Sequence, residues 1–78
     1  MFLTKKKKNK IAKALAFVQT VLNNSFMDET DKDAIDCWEL ATRQLIGVAG
    51  EIGGVKLIKL TKYWYDDLIE RTGFHDIK

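Results

Sequence analysis

The sequence predicts an all-α fold, either a three-helix bundle or a helical hairpin with a third helix packed on it, and the second helix offers a seam for a dimer. Three observations carry this. Apolar residues recur at spacings of three and four in three separate stretches. Polar or glycine-rich stops follow each stretch. Proline is absent, and no low-complexity segment divides the chain, so residues 1–78 read as one small domain.

The first stretch holds Ile11, Leu15, Val18 and Leu22 on one stripe, which Ala14, Phe17 and Val21 widen into a face expected to pack into the core. Asn23, Asn24 and Ser25 end it. The second opens after "DETDKD", where several residues can cap a helix and acids suit the positive end of its dipole. Ala34, Trp38, Ala41, Leu45, Val48 and Ile52 then repeat at four, three, four, three and four, a coiled-coil-like seam flanked by Ile35, Thr42 and Ala49. The third, "VKLIKLTKYWYDDLIERTG", puts Leu57, Leu60, Trp64 and Leu68 on one face, with Arg71, Gly73 and Phe74 as its stop. Its β-branched and aromatic content leaves a strand over 55–65 as the alternative, but the apolar residues do not alternate.

A chain of 78 residues buries only about 60% of the surface its unfolded form exposes, so its core is small. Cys37 is the sole cysteine; no disulfide can form within the chain, and the expected setting is intracellular and cytoplasmic. No apolar run approaches the ~20 residues of a membrane span. "MFLTKKKKNKIAKALAFVQTVL" imitates a secretion signal, yet Lys13 and Gln19 interrupt its apolar part, and it reads as a helix of the mature protein. Residues 1–8 are expected as a basic arm and 75–78 as a frayed tail.

The net charge of +2 conceals sorted blocks. Lys5, Lys6, Lys7, Lys8, Lys10 and Lys13 come first with no acid among them, and Lys56, Lys59 and Lys62 come later. Between them lie Asp28, Glu29, Asp31, Asp33, Asp36 and Glu39, and Asp66, Asp67 and Glu70 follow. An up-down-up arrangement would gather the lysines at one pole and the acids of 28–36 at the other. The basic pole suits phosphate contacts, and Tyr63, Trp64 and Tyr65 beside Lys62 offer a stacking patch. Lysine in place of arginine and a near-neutral total count against specific nucleic-acid reading. A membrane surface is the least favoured partner.

Catalytic groups are sparse. Ser25 and His75 are each the only residue of their kind, and one Cys with one His is too few for a structural zinc site. "DETDKDAID" lacks the glycine and final glutamate of a calcium loop. From Gly50, a phosphate loop would need a second glycine and a hydroxyl where Val55 and Leu57 stand.

"IGVAGEIGGVKLIK" resembles the helical motif of the MazG-like nucleotide pyrophosphohydrolases, which implies magnesium held by an E-x-x-E pair and a later E-x-x-D. Glu51 matches the first glutamate; Gly54 stands at the second, and Asp66, Asp67 and Glu70 do not supply the later pair. "KNKIAKALAFV" with "AIDCWELA" resembles the N-terminal dimerisation domain of the small glutamine-rich tetratricopeptide co-chaperones. That resemblance implies a helical homodimer whose acidic face, beside Asp33 and Asp36, docks a basic partner, with Cys37 at the helix surface. The two phrases lie closer together here than in that family, and the glycine cluster and aromatic third helix depart from it.

Each glycine in a helix interior costs about 1 kcal/mol relative to alanine. The second helix should therefore end near Ile52, with Gly53 and Gly54 turning the chain and Gly47 and Gly50 admitting a close neighbour. The expected function is a small, non-enzymatic protein–protein interaction module, an adaptor or an inhibitor of a larger complex, which self-associates through Trp38, Leu45, Val48, Gly50 and Ile52. It requires no cofactor and no metal. Its partner would engage the basic pole, the acidic pole or the aromatic patch. The alternatives are a nucleic-acid-binding protein using the lysines and a degenerate magnesium-dependent pyrophosphohydrolase.

Overall fold

Two local signals start the helices. Thr4 is extended, and its hydroxyl accepts the backbone N–H of Lys7 at 3.2 Å, which caps the first helix, α1 (Lys5–Ser25). In the connection that follows, Asp31 Oδ2 accepts the N–H of Ala34 at 3.2 Å and caps the second, α2 (Lys32–Thr72). A computed structural model describes residues 4–72, and among them all regular structure is helical. Residues 55–65 are helix, and the alternative of a strand there falls away. The arm expected over 1–8 is already helical from Lys5. The tail 75–78, the stop at Gly73 and Phe74, and His75 lie outside the described residues.

A straight helix of 41 residues would extend about 62 Å. The longest dimension of the molecule is 42 Å, so α2 is bent. The bend is Gly54, at φ 68° and ψ −160°, a backbone region essentially reserved for glycine. The Gly53–Gly54 pair therefore turns the chain as the sequence suggested. The non-helical Gly54 divides α2 into two helical stretches, a first arm before it and a second arm after it.

Both arms reach α1. Near the bend, Ala12, Ala49 and Leu57 are fully buried, with Ile11, Leu15, Ile58, Leu60 and Trp64 packed around them. At the far end of α1, Asn23 bonds Trp38 of the first arm and Tyr65 of the second. Packing is thus apolar beside the bend and polar at the other end.

The inward face of α1 follows its predicted stripe only in part: Ile11 and Leu15 pack on the core and Leu22 is half-buried, but Val18 is not covered. The buried residues are Ala12, Ala16, Thr20 and Asn23, whereas Phe17, Val18 and Val21 are exposed. Small side chains let the α2 backbone come close, and the Thr20 hydroxyl removes its own need by donating to the Ala16 carbonyl at 2.8 Å. The seam on α2 is divided, with Ala34, Trp38, Ala41 and Leu45 half-buried. Its buried residue is Ala49, expected only as a flank, while Val48 and Ile52 face solvent.

Candidate interaction surfaces

Asn23 organises the polar end. Its Oδ1 accepts Trp38 Nε1 at 2.7 Å and Gln19 Nε2 at 2.8 Å, and its Nδ2 donates to the Tyr65 hydroxyl at 2.6 Å. Gln19 Nε2 also donates to Thr42 Oγ1 at 3.1 Å. Asn23 is almost fully buried, so these bonds replace the water it has lost. Between this network and the apolar cluster lies a half-open cleft of about 390 Å³, walled by Leu15, Leu45, Ile46, Ala49 and Ile58.

Trp64 ties the other end together. Asn9 and Lys13, one helical turn apart on α1, both meet it: Nε1 donates to Asn9 Oδ1 at 3.1 Å, and Lys13 Nζ lies 4.3 Å from the ring centroid. The expected aromatic patch is therefore divided. Trp64 packs on the core and Tyr65 lines the cleft, whereas Tyr63 is exposed and sits edge-on to Trp64, with centroids 5.1 Å apart. Consecutive helical residues diverge by about 100°, so the three rings cannot form one stacking platform.

Lys5, Lys6, Lys7 and Lys10 are exposed at the start of α1, with Lys8 half-buried. The ion pairs among the described residues are Glu39–Arg43, Lys62–Asp66 and Asp67–Arg71, each spanning one helical turn. The α1 lysines, Lys56 and Lys59 take no part in them. The first turn of α1 has no acid and its last turn no base, so neither end of its dipole is complemented from within the helix. Asp28, Glu29, Asp31, Asp33 and Asp36 are exposed around the connection and the start of α2. Cys37 is exposed as a free thiol.

The glycines separate by environment. A Cβ on Gly50 would meet Ile58 Cδ1 at 3.3 Å, and one on Gly53 would meet Leu57 Cβ at 2.6 Å. Gly47 has nothing within 4 Å of such an atom, so no close neighbour explains it. Glu51 is exposed, and the described residues gather no group of three His, Cys, Asp or Glu side chains able to hold a metal ion.

One apolar feature of α1 was not legible as a site in the sequence. Phe17 is 58%, Val18 48% and Val21 44% exposed, one contiguous ridge on the outside of α1. Periodicity marked these residues as apolar but carried no sign of which way they face. Leu40, at 60%, and Val55, at 65%, are also open, while Trp38 and Leu45 are half-buried. The chain matches no protein-family model, no curated protein and no solved structure among those compared with it. No helix among the described residues is long and apolar enough to cross a membrane.

Proposed function

We propose that this protein is a small, non-enzymatic helical interaction module, an adaptor or inhibitor type of protein that self-associates and engages another protein. The observation that carries the reading is its surface. The accessible area is 5941 Å², whereas a compact monomer of 9.0 kDa exposes about 4,900 Å². Among the described residues Phe17, Val18, Val21, Val48 and Ile52 are open, while the fully buried hydrophobic ones are three alanines and Leu57. Contiguous apolar surface on a small protein marks an interface. In this reading the dimer seam uses residues left exposed by the fold, and the three helical stretches act as a bundle completed by a partner.

Sedimentation equilibrium over a hundredfold dilution tests the reading. A mass that falls from dimer to monomer on dilution is expected. A monomer at every concentration would sink self-association.

A second reading rests on the unpaired lysines at the start of α1, which suit phosphate contacts. It predicts retention of a nucleic-acid probe with a steep negative log–log salt slope, of about −0.9 for each duplex phosphate neutralised. Binding that is weak and insensitive to salt would eliminate it.

A further inference from the structure

We infer that two copies of the chain pair antiparallel along the outward face of α1, the basic start of each helix lying over the acidic connection of the other. The inference rests on the self-association proposed above and specifies its face and direction.

The outward face carries a heptad-like stripe that continues beyond its apolar part. Lys7, Lys10, Ala14, Phe17 and Val21 follow at spacings of three, four, three and four, with Val18 beside them, and all of these residues are exposed. Past the end of α1 come Asp28, Glu29 and Asp31, exposed as well. The outward face of α1 is therefore basic at its start and apolar in its middle, and the connection beyond its end is acidic. A surface of that pattern complements itself only head to tail, which is the requirement of a two-fold isologous contact. With the crossing centred between Phe17 and Val18, Ala14 faces Val21 of the second copy, Lys7 faces Asp28, and Lys6 faces Glu29.

The helix ends give an independent argument. The first turn of α1 has no acid and the last turn no base. Antiparallel pairing places the second copy's acids at the positive end of the dipole and its lysines at the negative end, supplying both complements at once. A parallel pair would set lysine against lysine and acid against acid. An anionic membrane would attract the lysines but repel Asp28, Glu29 and Asp31 beyond the end of the same helix, so a second copy is the better occupant.

Charge exchange tests the arrangement. Lys7 and Asp28 stand at opposite ends of α1, separated by about 27 Å of helix between Lys7 and Ser25, so they cannot pair within one chain. Lys6→Glu with Lys7→Glu should weaken the dimer about tenfold or more at low salt, because paired charges become repulsive at both ends. Asp28→Lys with Glu29→Lys should do the same. A chain with all four changes should recover the wild-type dissociation constant to within about threefold, and the two half-exchanged chains should pair with each other when mixed. All four positions are exposed, but Glu29 Oε1 also accepts the N–H groups of Thr30 and Asp31 in the connection, so circular dichroism checks that each chain keeps the wild-type helical content. Phe17→Ser, which alters only the centre of the ridge, should also dissociate the dimer.

The outcomes are separable. A wild-type dimer indifferent to all these charge changes would overturn the antiparallel α1 pairing and leave self-association standing. A wild-type monomer at every concentration would overturn both. A monomer that co-sediments with vesicles containing phosphatidylserine would overturn the pairing in favour of a lipid surface.

Discussion

The two faces of α1 reverse the usual relation between bulk and burial. Ala12, Ala16, Thr20 and Asn23 face the rest of the protein, whereas Phe17, Val18 and Val21 face out. The inward face is built for close approach, because α1 must meet both arms of a sharply bent α2 and small side chains permit that. The outward face has the larger apolar payload and no intramolecular partner. The fold is held by small residues at the closest approach, by Leu57 with Ile11, Leu15, Ile58, Leu60 and Trp64 around it, and by a polar network.

The largest effect should come from the centre of the inner contact. Leu57→Ala removes the bulkiest apolar group that is fully buried and should cost about 2–5 kcal/mol, a large share of the stability of a domain this size. Urea unfolding would measure it, and a loss below about 1 kcal/mol would show that the cluster around Ala12 and Ala49 is not the core. Ala16→Leu challenges the inner face from the opposite direction. Overpacking a position that is 1% exposed should cost about 1–3 kcal/mol, and a neutral result would mean that α1 can move away from α2 freely.

At the polar end, Asn23→Ala should cost about 1–3 kcal/mol, since it strands the indole N–H of Trp38 and removes a partner from both Gln19 and Tyr65. A change in Trp38 fluorescence should accompany it, read in a Trp64→Phe background. Unaltered stability would mean that water replaces Asn23 without loss.

Two glycines of the same helix should respond with opposite signs. Gly54→Ala forces a side chain into a positive-φ conformation and should cost about 1–3 kcal/mol. Gly47→Ala meets open space and should stabilise by about 0.5–1 kcal/mol. Equal effects would refute the bend. Least affected is the ridge. In the monomer, Phe17→Ser should change unfolding free energy by no more than about 0.5 kcal/mol while abolishing association. A large loss of monomer stability would place Phe17 in the core and cancel the comparison between the faces.

Some of this was legible from local chemistry. Helical spacing identified every helical stretch, Gly53–Gly54 marked the bend, and Leu57, Leu60 and Trp64 were correctly grouped on one face. The inner face of α1 was legible only at Ile11, Leu15 and Leu22; amphipathic reading also assigned Phe17, Val18 and Val21 to the core and passed over Ala12, Ala16 and Thr20. The aromatic run 63–65 looked continuous in the sequence, but each ring points elsewhere on the helix. Asn23 gave no local sign of its role beyond ending a helix; its three partners come from 4, 15 and 42 residues away.

By itself, the sequence determined the helical character of this protein, its breakpoint and its sorted charges, because backbone propensity, glycine freedom and charge order are local properties of the chain. The tertiary structure alone decided which face of each helix is covered. That choice depends on how closely two backbones can approach, a distance set by pairs of residues far apart in sequence, and at Ala12, Ala16 and Ala49 the smallest side chains took the closest contact.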